Sequence, residues 1–351
     1  MGHLGEVVTV QGALRNDVIH VASLQVVTEI GLPIGRRTPA FFARDQFGHE
    51  QTLDRLRGSR ERFFCLSVPP IGDLTANSNL VELQAAKSRF ESQGIKVAAL
   101  SYDTEAILKG FTQRRNIEIP LIADPDSKII RAYDLLNPEA VGEYKGMARP
   151  GYFFIDSKGV IREKFFEAKY RTRNSGNNVI SKIFPELGEE VTGTVEAPHL
   201  QLAVEQSDRA AVPGSRITLT AEVRFPRGIH VYASGTKGYK TVSLVIDSPP
   251  ELEVTPSVYP RAKVLYMPAI KENVPVFEGT FRIGQDIKVS SAYAFSESLG
   301  PEGNTFTITG KLVYQACDSK TCFLPASAPI EWHVHVQPLD RQRSPESIRH
   351  K

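Results

Sequence analysis

Apolar segments in this chain change character near residue 190. Before that point, short apolar runs alternate with helical stretches, as in RFFCLSV, NLVELQAAKSRFESQ and IKVAALSY. This alternation is typical of βαβ units and predicts a largely parallel sheet covered by helices. After LGEEVTGTVEAPHL the helical pattern ends, and short β-rich segments follow, separated by Pro, Gly, Ser and Asn. They predict an all-β sandwich of about immunoglobulin size, so the expected fold class is an α/β domain followed by an all-β domain.

The length of the chain agrees with two domains, because 351 residues exceed the size at which one hydrophobic core usually stops growing. At the N-terminus, VVTVQGAL and VIHVASLQVV flank the dipeptide Asn16-Asp17, which predicts a short β-hairpin within residues 1–30. We expect the α/β domain at 31–190 and the β-sandwich at 195–338. The remaining residues, 339–351, have no apolar period and are expected to form a flexible tail.

Composition excludes several classes of protein. The formal net charge is +2 and no long run of like charge occurs, so nucleic acid is not an expected partner. No stretch approaches the roughly 20 consecutive apolar residues that cross a bilayer, so no membrane span is expected in this chain. The N-terminus also lacks the basic and apolar regions of a secretion signal.

One helix is predicted in detail from its periodicity. Apolar residues recur at steps of three and four over residues 79–93, and Gly94 follows as a C-terminal stop. The predicted amphipathic face carries Leu80, Leu83, Ala86, Lys87 and Phe90.

Phrases within residues 31–165 resemble the peroxiredoxin-like AhpC/TSA branch of the thioredoxin fold. The phrases are GLPIGRRTPAFFARDQFGHEQTL, LVELQAAKSRFESQGIKVAALSYDT, IPLIADPDSKIIRAYDLLNPEA and ARPGYFFIDSKGVIREKFF. The resemblance implies a thioredoxin-like domain whose reactive cysteine would lie just before the LVELQ helix. Here that segment reads PPIGDLTANSNLVELQ and contains no cysteine. A Cys-x-x-Cys pair would fall near Asp73 and Ala76, and the hydroxyls of Thr75 and Ser78 cannot replace a thiolate.

Cys65 is the only thiol of the α/β domain. It lies within RFFCLSV, which resembles a buried parallel strand, so we expect it to behave as an inert apolar residue. A peroxidase that uses Cys65 stays open as an alternative. Arg149 resembles the arginine that helps to bind peroxide in active relatives, and without the thiol we expect it to have a structural or binding role.

The β-rich half resembles the N-terminal domain of the thiol:disulfide interchange protein DsbD, over roughly residues 195–338. The resemblance is carried by FPRGIHVYAS, YPRAKVLYMPAIKENVPVFEGTFRI and LVYQACDSKTCFLP. It implies an immunoglobulin-like domain in which Cys317 and Cys322 form an exchangeable redox pair. It also implies a thioredoxin-like protein partner, a possible membrane-bound electron donor, and a mobile cap segment over the disulfide near Tyr266 to Glu272.

The residues around the pair fit this role. A tight turn over DSKT would place the two sulfurs opposite one another, and so short a loop is a poor structural staple. Lys320 lies between the cysteines and favours thiolate character. A permanent structural disulfide remains an alternative. Zinc is not expected, because the nearby histidines, His230, His333 and His335, do not follow the order of a zinc finger.

Together with these resemblances, the sequence predicts an extracytoplasmic electron relay that uses Cys317 and Cys322 and needs no cofactor. By analogy with the DsbD domain, Cys322 is expected to engage the partner. In this reading the degenerate peroxiredoxin-like domain is a docking or scaffold unit. The alternatives are a non-catalytic binding protein with a structural disulfide, and the Cys65 peroxidase. A periplasmic location is favoured by the resemblance, whereas the missing signal favours the cytoplasm.

Overall fold

The computed structural model describes residues 8–15, 18–26, 29–57, 64–67, 74–167, 171–187, 190–267 and 271–340. The α-helices in chain order are α1 (Leu53–Arg57), α2 (Leu74–Ser92), α3 (Glu105–Arg115), α4 (Lys128–Ala132), α5 (Gly176–Ile183) and α6 (Tyr293–Ser298). Short 3₁₀ helices span Gly142–Tyr144 and Pro185–Leu187. Among the described residues, the helices include none with the length and apolar character that a bilayer crossing requires.

The strands form five sheets. In the first half they are β1 (Val8–Arg15), β2 (Val18–Val26), β3 (Phe42–Asp45), β4 (Glu50–Thr52), β5 (Phe64–Ser67), β6 (Lys96–Ser101), β7 (Leu121–Ala123), β8 (Gly151–Ile155) and β9 (Ile161–Phe166). The second half has β10 (Arg173–Asn174), β11 (Glu190–Ala197), β12 (Leu200–Gln206), β13 (Ala210–Ala211), β14 (Ser215–Arg224), β15 (His230–Tyr232), β16 (Ser243–Asp247), β17 (Leu252–Val254), β18 (Lys263–Met267), β19 (Glu272–Glu278), β20 (Thr280–Val289), β21 (Asn304–Tyr314), β22 (Ala316–Cys317) and β23 (Ala326–Val336).

The described residues divide into two compact units. The first contains residues 8–67 and 93–167, and the second contains 74–92 and 171–340, apart from the undescribed gaps. Helix α2 and residues 171–187 therefore group with the C-terminal strands, whereas the sequence pattern placed both before the change at residue 190. The reason is that periodicity reports the type of an element and not the element against which its buried face packs.

The first unit is built on a seven-stranded sheet with the order β4-β3-β7-β6-β5-β8-β9. The prediction of a largely parallel sheet was wrong, because among the described strands of this sheet only the β5/β6 and β6/β7 pairs are parallel. On each side the sheet continues as an antiparallel hairpin, β3/β4 and β8/β9. Connections of a few residues join only antiparallel neighbours, and the sequence reading did not recognise these short turns.

Strands β1 and β2 of the same unit pair along their length in antiparallel register. The Asn16-Asp17 dipeptide, on which the hairpin prediction rested, lies outside the described residues. Central side chains of the sheet, such as Leu100, Ile122 and Phe153, are completely buried.

The second unit is rich in strands, as predicted. Its sheets have the orders β11-β12-β14-β20-β17, with β10 beside β14, then β13-β23-β21-β16, and β18-β19-β15-β22. A common core includes the buried Trp332, whose indole Nε1 donates a hydrogen bond to the Glu205 carbonyl oxygen at 3.0 Å. Alternation along β23 buries Trp332, Val334 and Val336 and leaves His333 exposed, as the alternating sequence predicts.

Helix α2 begins at Leu74 rather than at residue 79, and its predicted apolar residues Leu80, Leu83, Ala86 and Phe90 are all buried. Helix α5 packs against it. At Gly176 the two helices come so close that a Cβ there would lie 3.1 Å from the Ala86 Cβ. Glycine at this position permits that approach.

A buried polar cluster lies where α2 and α5 meet the loop after β12. The Ser175 hydroxyl caps α5 and also donates to an Asp208 carboxylate oxygen at 2.6 Å. Ser207 donates to the same oxygen at 2.7 Å. Burial raises the pKa of Asp208 and, together with the charge of Asp208, raises the pKa of Glu82 on α2 to about 8.

Candidate redox site

The predicted pair Cys317 and Cys322 forms a disulfide in the second unit. Cys317 ends β22, and its Cα lies 4.0 Å from that of Cys322, with which it forms an antiparallel bridge. The flanking residues exchange backbone hydrogen bonds, from the Phe323 N–H to the Ala316 carbonyl and from the Asp318 N–H to the Thr321 carbonyl, both 2.9 Å. The cysteines thus occupy the non-hydrogen-bonded position, where facing residues come closest.

Asp318 shapes the turn between the cysteines. One of its carboxylate oxygens accepts hydrogen bonds from the backbone N–H groups of Lys320 and Thr321, each at 2.7 Å. These hydrogen bonds lower the pKa of Asp318, so its charge persists in mildly acidic solution. The DSKT segment therefore closes as the predicted tight turn, with an aspartate that organises its backbone.

The two cysteines differ in exposure. Cys317 is 1% exposed and belongs to a small buried cluster with Tyr232, Val274 and Val276. Cys322 belongs to the exposed residues. A reagent or protein from solution therefore reaches Cys322, while Cys317 is buried among side chains of the neighbouring strands β15 and β19.

Two tyrosines pack beside the disulfide. The Tyr232 hydroxyl lies 3.7 Å from the Cys322 Sγ. Its ring packs against that of Tyr239, with centroids 4.3 Å apart, and the Tyr239 hydroxyl donates to a Glu272 carboxylate oxygen at 2.8 Å. Burial raises the pKa of Tyr232, so its hydroxyl keeps its proton and can donate it to a sulfur atom.

Strands β18 and β19 contribute apolar side chains to the buried cluster around Cys317. Val274 and Val276 on β19 are buried in the Cys317 cluster, and Leu265 and Met267 on β18 pack against it. Of the predicted cap segment, Tyr266 is 55% exposed on β18 and Glu272 begins β19, while residues 268–270 lie outside the described residues. Both ends of that segment lie on paired strands of the sheet that carries Cys317, and the cap role stays a prediction.

The residues of the α/β pattern that were considered for thiol chemistry lie on β5 and α2. Cys65 is on β5, with its backbone paired to Val97 on one side and Phe154 on the other. Asp73 lies outside the described residues, and Thr75 and Ala76 belong to the first turn of α2. Ser78 is buried on the same helix.

Arg149 forms an ion pair with Glu139, with 3.4 Å between its Nη2 and the Glu139 Oε1. The structural or binding role that was expected for Arg149 stays a prediction. A carboxylate beside the guanidinium competes with any anionic or polar ligand for the same donors.

The histidines considered for zinc are separated by the fold. His333 and His335 lie on the outer side of β23, within 3.3 Å of the Thr307 and Thr305 hydroxyls, respectively. His230 is buried on β15. In the described part of the chain, no three His, Cys, Asp or Glu side chains converge in a metal-binding group.

Sequence reasoning missed the residues that surround the disulfide. His230, Tyr232 and Tyr239 were not assigned to it, although IHVYAS was among the phrases that carried the resemblance. The alternation His-Val-Tyr was the available signal, because residues two apart on a strand share a face.

The first unit thus has a thioredoxin-like fold, and the second is a strand-rich unit that carries a disulfide. The model of the AhpC/TSA family matches residues 34–164. This segment is an AhpC/TSA peroxiredoxin-like domain.

Curated relatives agree with this assignment. The chain is 32% identical to peroxiredoxin TSA1 of Saccharomyces cerevisiae over 121 residues, which are 32% of this chain and 58% of the relative. It is 29% identical to alkyl hydroperoxide reductase C of Staphylococcus haemolyticus over 123 residues, which are 34% of this chain and 61% of the relative. The chain therefore spans less than two thirds of the length of each of these two relatives.

Among solved structures, the match with Enterococcus faecalis AhpC covers 46% of this chain and 98% of the AhpC chain, with 18% identity and a TM-score of 0.37. The match with peroxidoxin BcpB of Mycobacterium tuberculosis covers 39% of this chain and 86% of the BcpB chain, with 16% identity and a TM-score of 0.35.

Proposed function

We propose that this protein performs thiol-disulfide exchange through the Cys317–Cys322 pair and relays electrons between protein partners. The observation that carries the proposal is the asymmetry of the disulfide, which joins a buried Cys317 to an exposed Cys322. The Cys322 sulfur is available for attack from solution, and the buried Cys317 sulfur can resolve the mixed disulfide. This division of roles is what exchange through a mixed disulfide requires.

The short loop supports exchange over a structural role. Only four residues separate the cysteines. In the chain-entropy model, a closed loop of about 15 residues stabilises a fold by ~3 kcal/mol, and a shorter loop stabilises it less. The bond therefore contributes little as a staple.

In the proposed mechanism, a partner thiolate attacks the Cys322 sulfur. The Cys317–Cys322 bond breaks, the electron pair of that bond goes to the Cys317 sulfur, and a mixed disulfide forms between Cys322 and the partner. A second thiolate of the partner then attacks the mixed disulfide and releases Cys322. The reverse sequence passes the electrons to the next partner.

The partners are expected to be thioredoxin-like proteins, with a membrane-bound donor on the reducing side. This expectation rests on the resemblance of LVYQACDSKTCFLP and its neighbouring phrases to the DsbD N-terminal domain. The same resemblance supports an immunoglobulin-like class for the strand-rich unit, and an extracytoplasmic location where thioredoxin and glutathione do not keep thiols reduced.

The peroxiredoxin-like domain is proposed to act as a docking or scaffold unit. Its thiol chemistry would have to come from Cys65, because PPIGDLTANSNLVELQ contains no cysteine. Cys65 lies on a strand with neighbours on both sides, β6 and β8. If Cys65 is nevertheless a peroxidatic residue, hydroperoxide consumption will be measurable and will vanish in Cys65→Ser.

The reduction potential of the pair tests the proposal. The full chain is equilibrated with graded dithiol buffers, and the thiols are quantified by alkylation and mass spectrometry. We expect a potential within roughly −120 to −270 mV, the range of exchanging proteins. A value below about −300 mV would identify a structural bridge in a non-catalytic binding protein.

Single variants provide the controls for this experiment. Cys317→Ser and Cys322→Ser each abolish reversible exchange, and Cys65→Ser leaves it unchanged. Loss of exchange in Cys65→Ser with retention in the other two would contradict the relay.

A further inference from the structure

His230 lies at the centre of the sheet that carries the disulfide. Strand β15 runs between β19 and β22, and His230 pairs directly with Glu278 on one side and with Cys317 on the other. Side chains of directly opposite residues project on the same face, with Cβ atoms about 4.5–5.5 Å apart. Cys317, His230 and Glu278 therefore form a row across three strands.

The His230 imidazole is in an unusual state for a buried polar group. The residue is 4% exposed, and its Nε2 is buried without a hydrogen-bond partner among the described residues. Buried polar atoms are almost always hydrogen-bonded, so an unpaired one calls for an explanation. The nearest ring is that of Tyr232, with centroids 5.9 Å apart in an edge-to-face arrangement.

Charged groups reach His230 from both neighbouring strands. Glu278 on β19 and Asp318 after β22 each favour the imidazolium form, but burial outweighs them and lowers the pKa of His230. Glu278 is itself paired with Lys263, with 2.8 Å between the Lys263 Nζ and the Glu278 Oε1. The charge of Lys320 favours the ionised form of Asp318. At neutral pH the imidazole is therefore uncharged and able to accept a proton.

We propose that His230 is the proton acceptor and donor for Cys317 when the disulfide closes and opens. This inference rests on the proposed exchange function. Proton transfer accounts for the unpaired Nε2, since a buried thiol needs a nearby base to become a nucleophile. Solvent cannot readily take that proton, because Cys317 is 1% exposed and packs in a buried apolar cluster.

The chemistry balances without a further reactant. With both cysteines reduced, the Cys322 thiolate attacks the disulfide of a partner and forms a mixed disulfide, and one partner sulfur leaves as a thiolate. His230 then accepts the proton of the Cys317 thiol, and the Cys317 thiolate attacks the Cys322 sulfur. The Cys317–Cys322 bond forms, the bond to the partner breaks, and its electron pair leaves on the second partner thiolate. In the opening direction the His230 imidazolium returns its proton to the Cys317 thiolate.

Stopped-flow kinetics with Ellman's reagent, an aromatic disulfide, can separate these two steps. The full chain carries Cys65→Ser, so that only the pair reacts, and each step releases one equivalent of thionitrobenzoate. The first phase reports attack by Cys322 and the second reports closure by Cys317. We expect His230→Gln to slow the second phase at pH 7 by about 100-fold, the lower end of general acid-base contributions, and to leave the first phase unchanged.

The pH profile separates proton transfer from a structural effect. In the protein with His230, the second-phase rate rises as pH increases through the pKa of the histidine, below its usual value near 6.5, and then levels off. In His230→Gln the rate continues to rise until the Cys317 thiol itself ionises, so the two profiles converge at high pH. The matched control His335→Gln, on the outer side of β23, behaves like the parent.

Two results overturn the proposal in different ways. An unchanged second phase and pH profile in His230→Gln contradicts proton transfer by His230 and leaves the exchange function standing. Release of a single equivalent of thionitrobenzoate by the parent protein contradicts both the role of His230 and the exchange function. If His230→Gln does not fold, the parent profile still decides, because absence of the low-pH step contradicts proton transfer through His230.

Discussion

At the scale of single residues, the disulfide site is defined by a difference in exposure between two cysteines that look alike in the sequence. Cys317 is buried among Tyr232, Val274 and Val276, and Cys322 is exposed at the end of the turn. Reactivity of a thiol depends on access and on thiolate character, and both are set by these neighbours.

We therefore expect the reduced protein to be alkylated faster at Cys322 than at Cys317. The difference should be at least about tenfold at pH 7, because burial disfavours the thiolate and limits access. Differential isotope labelling with iodoacetamide, read by mass spectrometry, measures both rates in one sample. Equal rates, or faster labelling of Cys317, would show that the reduced site opens and loses the asymmetry.

The Tyr232 hydroxyl should assist Cys322 in particular. Tyr232→Phe removes the group that lies 3.7 Å from the Cys322 sulfur and keeps the ring that packs on Tyr239. A hydrogen bond to a charged group contributes about 1.5 kcal/mol, so alkylation of Cys322 should slow by about tenfold. Tyr239→Phe is the matched control, since its hydroxyl bonds to Glu272. Equal slowing in both variants would mean that the tyrosines act through packing.

At the scale of secondary-structure elements, the second unit depends on two helices that precede its main sheets in the chain. Helix α5 contributes Val179 and Ile180, both fully buried, and Asn178, whose side-chain amide donates to Thr218 at 2.7 Å. The Asp286 carboxylate also takes part in this contact. Burial disfavours its charge, but the Lys182 ammonium and its hydrogen bonds outweigh burial and lower the pKa of Asp286.

The polar cluster beside α2 makes stability depend on pH. In the folded protein Glu82 holds its proton up to about pH 8, whereas in the unfolded chain it ionises near 4.5. The folded state therefore binds more protons in this window, and the contribution of Glu82 to stability falls as pH rises from about 4.5 to 8.

Glu82→Gln removes this penalty, because glutamine resembles the protonated acid. We expect the melting temperature of Glu82→Gln, relative to that of the parent, to increase between pH 5 and pH 8. Calorimetry at several pH values measures the trend, and Glu196→Gln, at an exposed position on β11, should show none. A constant difference between Glu82→Gln and the parent would mean that Glu82 is ionised in the folded protein.

At the scale of the whole molecule, the compact units do not follow the order of the chain. Helix α2 belongs to the second unit, although the residues before and after it belong to the first. A domain boundary at residue 190 therefore separates the C-terminal strands from the two helices grouped with them.

Truncated proteins test this organisation. A fragment of residues 171–340 should melt at least about 10 °C above a fragment of residues 190–340, because the longer one keeps Val179 and Ile180 of α5, whose side chains are completely buried. Circular dichroism of the two fragments under identical conditions measures the difference. Equal melting temperatures would show that the strands are stable without α5.

Local patterns predicted much of this fold. The period of Leu80, Leu83, Ala86 and Phe90 predicted a buried helix face, and the alternation of Trp332, Val334 and Val336 predicted the buried side of β23. The antiparallel hairpins β3/β4 and β8/β9 were not recognised, and the sheet was expected to be largely parallel. Their short turns give weaker signals than long periodic segments do.

The sequence by itself determined the types of the elements, and its resemblance to known families implied a peroxiredoxin-like segment without its expected cysteines and a pair formed by Cys317 and Cys322. These features depend on residue type and on short spacings, which can be read along the chain. Only the tertiary structure decided that Cys317 is buried and Cys322 exposed, that His230 faces Cys317, and that α2 joins the second unit. Each of these depends on contacts between residues distant in sequence, and burial, strand register and helix packing are set by all the partners together.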